Sequence, residues 1–260
     1  MKELSVHQKN RVLQVTLNRP EKRNALTCEM CSGIAEAVAS TQDRDDIGAI
    51  LVTAAGQVFC AGMDLDEAAL PHHNLASAHE ELFTMGAGSV KPIVMCVNGP
   101  ALGGGLGLVA QGHVVMAGQG AVFGLPEIRI GLWPFLVYRA VEAALGPRRT
   151  LELSLVGRTF HAPDALQWGL VHQICPPSEV CERAQAVARD IAKASPRAIM
   201  AGMQYFRGSR GKSLKEAGEL AAWLRAELMA SGDFQEGCAA FKEKREPHWP
   251  SMPPGFYEET

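Results

Sequence analysis

A glycine triplet and a single carboxylate are the parts of this sequence best suited to chemistry. The triplet occupies residues 103–105, and Glu127 is the first Lys, Arg, Asp or Glu after Lys91. A glycine-rich junction between a strand and a helix exposes backbone N–H groups at the helix N-terminus. Such groups bind anions, or the negative oxygen that develops on a carbonyl group during a reaction. The pattern therefore indicates an anion or carbonyl site followed by a carboxylate.

The residues around the triplet do not match a nucleotide-binding loop. The stretch lacks a GxxxxGK[ST] motif, and a GxGxxG motif would need glycine at position 108, where the chain has Leu108. No lysine or arginine lies within residues 92–126 to hold a phosphate group. The loop thus suits a neutral acceptor that becomes negative, such as a carbonyl group.

Glu127 is a candidate acid or base because it follows a long apolar passage. Desolvation in such surroundings disfavours the charged carboxylate and raises its pKa toward the range useful for proton transfer. The alternative is an ion pair with Arg129 at a strand edge, which would make Glu127 a structural residue. The sequence leaves both interpretations open.

Covalent catalysis by serine or cysteine has little support. The chain has no GxSxG motif, and residues 90–153 contain no serine. Cys60 and Cys96 have apolar neighbours and no adjacent base that would produce a thiolate. Cys28 and Cys31 form a CxxC pair, but the pair starts an amphipathic helix and is expected to be structural.

Three histidines, His72, His73 and His79, raise the possibility of a metal site. They lack the cysteine or carboxylate spacing of common metal-ligand sets. We interpret this segment as a solvated connection and expect no metal site.

Buried strands and a short helix must position the triplet and Glu127. Continuous apolar runs predict strands at residues 93–97 and 113–117, because strands covered on both faces do not alternate. A helix is predicted between them, over about residues 104–111. Glycine and proline at residues 99–105 would break a membrane-spanning helix, so we expect no membrane span.

The remaining pattern predicts an α/β core followed by helices. Upstream strands are expected at residues 11–17 and 49–53, with a helix that starts after Thr27 and extends to about residue 41. Strand and helix alternate until about residue 178, and only helices follow. We therefore predict a core over residues 1–177 and a helical region over residues 178–260. The other predicted elements are helices at residues 80–86, 135–145, 148–156, 160–169, 179–194, 196–206, 214–229 and 234–242, and a strand at residues 170–174.

Composition restricts the partners and the compartment. The net charge is −3 and no basic block is present, so nucleic acid is not expected as a partner. The first residues lack the apolar core of an export signal, and seven cysteines without such a signal indicate reduced thiols. We expect a cytoplasmic protein.

Five segments together resemble the crotonase superfamily, also called the enoyl-CoA hydratase/isomerase family. They are residues 18–26 (NRPEKRNAL), 59–65 (FCAGMDL), 98–105 (NGPALGGG), 123–127 (FGLPE) and 236–245 (EGCAAFKEKR). The resemblance extends over nearly the whole chain. It implies an α/β fold of repeated ββα turns, with C-terminal helices that assemble a homotrimer or a dimer of trimers. It also implies an acyl-CoA thioester substrate and no cofactor other than the coenzyme A of that substrate.

The resemblance also implies roles for individual residues. The backbone N–H groups of Met63 and Gly104 would form an oxyanion hole for the thioester carbonyl, and Glu127 would be the catalytic acid and base. Lys22 or Arg23 would contact the CoA phosphates, and Lys244 would reach a neighbouring subunit. The other positions expected to bind the substrate or its CoA are Ala25, Ala61, Gly62, Asp64, Leu65, Asp66 and Leu132.

The chain departs from the family pattern at position 107. Hydratases of this family carry a second glutamate three residues after the middle glycine of the triplet, and this chain has Gly107. One carboxylate can move a proton between C2 and C4 of an enoyl chain, so the pattern favours double-bond isomerisation over hydration. The aromatic-rich turn at residues 132–135 also resembles family members that isomerise. Hydration with a different second group, another lyase or decarboxylase reaction, and CoA binding with little catalysis remain alternatives. Residues 111–113 (QGH) are a further departure, because the family often has an aspartate there.

Overall fold

A computed structural model describes residues 3–69 and 74–257 of the 260-residue chain. Within these residues the backbone forms nine strands. They are β1 (Leu4–Lys9), β2 (Val12–Leu17), β3 (Ala49–Ala54), β4 (Ile93–Val97), β5 (Ala101–Leu102), β6 (Val114–Gly118), β7 (Val122–Gly124), β8 (Thr159–His161) and β9 (Gln173–Cys175).

The helices lie between these strands and, at the end of the chain, after them. The described helices are α1 (Cys28–Ala39), α2 (Leu65–Ala68), α3 (Leu75–Gly88), α4 (Gly104–Val109), α5 (Phe135–Leu145), α6 (Pro147–Val156), α7 (Ala162–Gln167), α8 (Val180–Lys193), α9 (Pro196–Gly208), α10 (Leu214–Met229) and α11 (Gly232–Glu243).

The main sheet has six strands in the order β1-β2-β3-β4-β6-β9. The β1 strand is antiparallel to β2, and the other neighbouring pairs are parallel. Every residue of β3 and β4 is buried, which explains why their sequences are continuously apolar. Parallel strands with both faces covered are typical of α/β proteins.

Two apolar cores cover the two faces of the main sheet. The larger one contains residues of α1, α3, α4 and α5 and the inward side chains of the strands. The smaller one is built by α8, whose Ala184, Ala188 and Ala192 are buried against the strands. Alanine at four-residue spacing lets a helix approach the sheet closely, because no long side chain separates the two backbones.

A second, small sheet has the order β5-β7-β8. The β5 and β7 strands are parallel, with Ala101 opposite Phe123 and Leu102 opposite Gly124. The β8 strand is antiparallel to β7, with Phe160 opposite Phe123. The rings of Phe123 and Phe160 stack with centroids 5.5 Å apart and are buried, which fixes this sheet to the core.

Most long elements agree with the sequence predictions, and the differences have local causes. The predicted helical turn over residues 160–169 is wrong at its start, because Phe160 lies in β8 opposite Phe123. The predicted strand over residues 170–174 starts later, at Gln173, because the amides of Leu170 and Val171 both donate to the Ala165 carbonyl and close the end of α7. The sequence did not predict β1, β5, β7 or α2, and α3 begins at Leu75 rather than near residue 80.

The division predicted after residue 177 falls between β9 and α8 and remains a proposal. The helices after it differ in their contacts, since α8 packs on the main sheet whereas α10 contacts α9 and α11. Within the residues described, no helix is both long and apolar enough to span a bilayer.

Replacing Gly48 with alanine tests the close packing of α8 on the sheet. A Cβ atom at Gly48 would lie 2.8 Å from the Cα atom of Ala192, which backbone atoms cannot accommodate without a shift. We expect Gly48→Ala to lower the free energy of unfolding by about 1–3 kcal/mol, measured by urea denaturation. Gly120→Ala is the matched control, because a Cβ atom there would have no atom within 4 Å. Equal stability of the two variants would contradict this account of the packing.

Candidate active site

The backbone at residues 60–64 is held between two neighbouring segments. On one side, the Leu26 amide donates to the Gly62 carbonyl at 2.7 Å, and the Asp64 amide donates to the Leu26 carbonyl at 2.9 Å. On the other side, the Cys60 amide donates to the Pro100 carbonyl at 3.1 Å. The position of this segment is therefore fixed from both sides.

The amides of Met63 and Gly104 lie close together, and neither has a hydrogen-bond acceptor among the described residues. Leu26 pairs with Met63 through the Gly62 carbonyl and the Asp64 amide, which flank Met63. The N–H group of Met63 therefore points away from Leu26. Gly104 is the first residue of α4, where a helix amide has no acceptor within the helix. A Cβ atom built on Gly104 would lie 3.7 Å from the Met63 nitrogen, and one built on Gly62 would lie 3.6 Å from the Gly104 nitrogen. This arrangement can hold one oxygen atom between two N–H donors.

Gly103 connects this donor pair to Glu127. Its φ of +54° and ψ of −121° suit glycine, and its amide donates to the Gly124 carbonyl at 2.9 Å, which continues the pairing of β5 with β7. A Cβ atom at Gly103 would lie 2.8 Å from Oε1 of Glu127. The absence of a side chain at this position therefore leaves the space that the Glu127 carboxyl group occupies.

Glu127 is the first residue of a 3₁₀ turn that ends at Ile130. Its Oε2 atom is buried and has no hydrogen-bond partner in the described part of the chain. Burial raises the pKa of this carboxyl group above its usual value, because the charged form loses its hydration. The alternative of an ion pair with Arg129 is wrong, since no such pair is found among the described residues and the exposed Arg129 side chain lies beside Gly157.

Gly107 faces apolar side chains. A Cβ atom there would lie 2.8 Å from Cε1 of Phe83 and 3.0 Å from Cγ1 of Val137. Phe83 also lies near Gly104, because its Cζ atom would be 3.5 Å from a Cβ atom built on that residue. The place where hydratases were expected to carry a second glutamate is thus filled by a phenylalanine from α3 and a valine from α5.

Comparisons with known proteins match this arrangement to one family. The family model described as enoyl-CoA hydratase/isomerase matches residues 7–252. The chain belongs to this family. A mevalonyl-coenzyme A hydratase of Aspergillus fumigatus is 34% identical over 250 residues, which are 92% of this chain and 91% of that protein. A 2,3-dehydroadipyl-CoA hydratase of Escherichia coli is 34% identical over 251 residues, covering 95% and 98% of the two chains.

Solved structures confirm the predicted crotonase-like fold. An enoyl-CoA hydratase of Mycobacterium smegmatis superimposes with a TM-score of 0.89 at 27% identity, covering 95% of this chain and 98% of that one. Human enoyl-CoA hydratase domain-containing protein 3 gives the same TM-score and identity, covering 95% and 100%. The family model and the sequence relatives also confirm the expectation that this chain is an enzyme of the hydratase/isomerase family.

Asp64, predicted to bind the substrate, has a structural set of contacts. Its Oδ1 atom accepts from the amides of Asp66 and Glu67 and caps α2, while its Oδ2 atom lies 2.5 Å from Nη1 of Arg19. Burial alone would raise the pKa of this carboxyl group, but the bonds from Arg19 and the amides outweigh it and lower the pKa. Asp64 therefore stabilises the turn that follows Met63, and its role in substrate binding remains a prediction.

The predicted phosphate contacts occupy the edge of the same region. Lys22 and Asp66 form an exposed ion pair with 3.1 Å between Nζ and Oδ2, which gives little stability by itself. Arg23 is exposed in a left-handed conformation with φ of 53°. Leu65 is 55% exposed and could cover a ligand that lies on this edge.

The remaining predicted binding residues lie in three places. Ala61 lies within the fixed segment and Ala25 beside it. Both are half-buried, and the Ala61 amide donates to the Arg23 carbonyl at 3.0 Å. The Leu132 amide donates to the Glu127 carbonyl at 3.0 Å, so Leu132 closes the turn of the proposed base. Lys244 directly follows α11, is exposed, and has no hydrogen bond or ion pair to the other site residues within the described chain. Its contact with a neighbouring subunit remains a prediction.

Two residues of the site were missed from sequence. Asn24 is buried with φ of 53°, and its side chain donates to the carbonyls of Ala55 and Val58. The sequence did contain a signal for Asn24, because asparagine is among the few residues that adopt a left-handed conformation readily. The sequence contains no such signal for Phe83, because Phe83 and Gly107 are far apart along the chain and meet only in the folded structure. His72 and His73 lie outside the described residues, among which no cluster of potential metal ligands is found.

A double-mutant cycle tests the contact at position 107. We expect Gly107→Ala to lower the free energy of unfolding by about 1–3 kcal/mol, because its Cβ atom would overlap the Phe83 ring. In a Phe83→Leu background the same change should cost at least 0.5 kcal/mol less, a typical lower bound for coupled neighbours. Urea denaturation of the four proteins measures this coupling. Strictly additive effects would show that Phe83 does not fill the space at Gly107.

Glu127→Gln tests the burial of the carboxyl group. Because folding raises its pKa, the native state binds this proton more tightly, and the free energy of unfolding falls as pH rises from the unfolded value through the folded one. Glutamine does not ionise, so the variant should gain stability relative to the wild type as pH increases from 4 to 8. Denaturation at several pH values measures the difference, with the exposed Glu36→Gln as control. A difference that is the same at every pH would contradict the raised pKa.

Proposed function

We propose that this enzyme moves a proton within an acyl-CoA thioester and so shifts a 3-enoyl double bond to the 2-position. The observation that carries the proposal is the carboxyl group of Glu127 beside Gly103, whose Oε2 atom is buried, with apolar side chains at the position of a second carboxylate. Membership of the enoyl-CoA hydratase/isomerase family supports the substrate class.

The first step is polarisation of the thioester carbonyl. Its oxygen accepts hydrogen bonds from the Met63 and Gly104 amides, which are rigidly placed and therefore stabilise the enolate oxygen without reorganisation. Loss of one such donor typically costs about 3 kcal/mol of transition-state stabilisation. The α4 N-terminus adds a favourable dipole at the same position.

The second step uses Glu127 twice. Its carboxylate removes a proton from C2, the electron pair delocalises onto the thioester oxygen, and the resulting dienolate takes the proton back at C4. The carboxylate is regenerated and no other reactant is consumed. A pKa raised by burial suits both halves of this cycle, because the group must accept the proton and then release it.

Hydration of a 2-enoyl-CoA is the second candidate. Relatives named as hydratases favour it, among them the mevalonyl-coenzyme A and 2,3-dehydroadipyl-CoA hydratases. Hydration must hold a water molecule and deliver its hydroxyl group to C3 as well as a proton to C2. The apolar surroundings of Gly107 supply no carboxylate for the water, so this reaction would need a different second group. CoA binding with little catalysis is the remaining alternative.

The proposed assembly is a homotrimer or a dimer of trimers formed through the C-terminal helices. Supporting it, several large apolar side chains there are exposed in the single chain, namely Leu214, Trp223, Phe234 and Phe241. We further propose that the enzyme needs no cofactor beyond the coenzyme A of its substrate. A cytoplasmic location is also proposed, and the free state of the seven cysteines supports it.

Glu127→Gln tests the role of the carboxylate. We expect kcat on 3-hexenoyl-CoA to fall about 10²- to 10⁴-fold, as is typical when a general acid–base group is removed. Formation of the conjugated 2-enoyl thioester is followed by its absorbance, and Glu36→Gln should keep full activity. In the wild type, kcat/KM should rise with pH through the raised pKa of Glu127, because the base must start ionised.

Three outcomes would contradict the proposal at different levels. Full activity of Glu127→Gln would remove Glu127 from the mechanism. Faster consumption of 2-enoyl-CoA than of 3-enoyl-CoA, with formation of a 3-hydroxyacyl thioester, would favour hydration. Turnover of neither substrate at any chain length would leave CoA binding as the function.

A further inference from the structure

Two cysteines face each other where α8 packs on the main sheet. Cys96 lies on β4 and Cys181 is the second residue of α8, and their sulfur atoms are 3.1 Å apart. Both are free thiols. All seven cysteines lie within the described residues, and these two are the one pair among them whose sulfur atoms are in contact.

The register of the strand and the helix explains this placement. Cys96 alternates with Met95 and Val97 along β4, so it faces the smaller core beneath α8 while they face the larger core. On α8, Cys181 precedes the buried Ala184 by three residues and thus lies beside the stripe of alanines that packs on the sheet. Regular secondary structure therefore holds the two sulfur atoms together.

The two thiols have different environments. Cys96 is buried, whereas Cys181 is exposed and accessible to a small reagent. The pKa of the Cys96 thiol is raised, because it donates a hydrogen bond to Cys181 and because burial disfavours its thiolate. The same hydrogen bond lowers the pKa of Cys181 and outweighs the effect of its partial burial. The N-terminus of α8 also favours a negative charge on Cys181.

The other polar groups around Cys181 do not cancel this effect. The hydroxyl group of Thr53, on β3, lies 4.0 Å from the Cys181 sulfur. Glu179 and Arg183 form an ion pair with 2.7 Å between Oε2 and Nη2, so their charges largely compensate. Glu182 is exposed, and solvent screens its charge. Cys181 thus combines an accessible sulfur atom with neighbours that stabilise its thiolate.

We propose that Cys96 and Cys181 are a reversible redox pair, which hydrogen peroxide oxidises to an intramolecular disulfide between β4 and α8. The Cys181 thiolate attacks one peroxide oxygen and breaks the O–O bond, which leaves a sulfenic acid and a hydroxide ion that solvent protonates. The Cys96 sulfur then attacks the Cys181 sulfur, and the departing hydroxide leaves as water with the Cys96 proton. Two thiols lose two electrons and two protons, and one peroxide becomes two water molecules.

Only a small movement is needed to form this bond. A disulfide has an S–S length of about 2.0 Å, so the two sulfur atoms must approach by about 1 Å. The cross-link joins residues that are 85 positions apart in the sequence, and it would restrict the unfolded chain. In a reducing compartment such a bond is transient and is removed by thiol exchange. The proposal does not depend on the reaction at Glu127.

Peptide mapping of the full-length protein after treatment with hydrogen peroxide tests the pair. We expect the wild type to lose two of its seven thiols, to yield peptides joined through Cys96 and Cys181, and to regain both thiols with dithiothreitol. Cys238→Ser removes another exposed cysteine and should form the same disulfide. In Cys96→Ala the resolving thiol is absent, so Cys181 should accumulate as a sulfenic acid that dimedone labels.

Other products would overturn the proposal. These are a disulfide between different cysteines, a loss of thiols that dithiothreitol does not reverse, or no dimedone labelling of Cys181 in Cys96→Ala.

Two further measurements distinguish a redox pair from two thiols that only pack together. Alkylation of Cys181 by iodoacetamide should reach half its maximal rate at a lower pH in the wild type than in Cys96→Ala, because the hydrogen bond from Cys96 stabilises the thiolate. Oxidation should raise the melting temperature of the wild type by about 5 °C or more and leave that of Cys181→Ser unchanged. Identical alkylation profiles, or a lower melting temperature after oxidation, would contradict the proposal.

Discussion

The parallel pairing of β5 with β7 is the contact on which the candidate site depends. The pairing is only two residues long, and the Gly103 amide extends it by donating to the Gly124 carbonyl at 2.9 Å. It brings the end of one strand beside the residues that lead into Glu127. Gly104 and Glu127 thus follow the ends of two paired strands, and the bridge between Cys60 and Ala101 brings the segment of Met63 beside the same strands. The stacked rings of Phe123 and Phe160 hold that sheet against the core.

Two carboxyl groups near this sheet have opposite pKa shifts, and their partners explain the difference. Asp64 is buried but receives bonds from Arg19 and two amides, so its charged form is stabilised. Glu127 is also desolvated, yet its Oε2 atom has no partner among the described residues, so its charged form is destabilised. Asp64 consequently fixes the turn after Met63, whereas the raised pKa of Glu127 suits its proposed role in proton transfer.

Long periodic segments and the catalytic motifs could be predicted from the sequence, and short or distant contacts could not. The capping box of Ser213 and Glu216 marks the start of α10, and the continuous apolar run marks β4. The β5 and β7 strands have two and three residues, too few to show any period. Phe83 fills the space at Gly107 from another helix, and only the folded chain reveals such a neighbour.

Gly103 combines two requirements at one position. Its left-handed φ directs the next amide toward Met63, and its missing Cβ leaves room for the carboxyl group of Glu127. Any larger residue there would disturb the hydrogen-bond donor and the proton acceptor in the same step. For protein engineering, the proposed oxyanion donor and the proposed base therefore cannot be changed independently at this position, and new reactivity is better sought on the α3 side of the site.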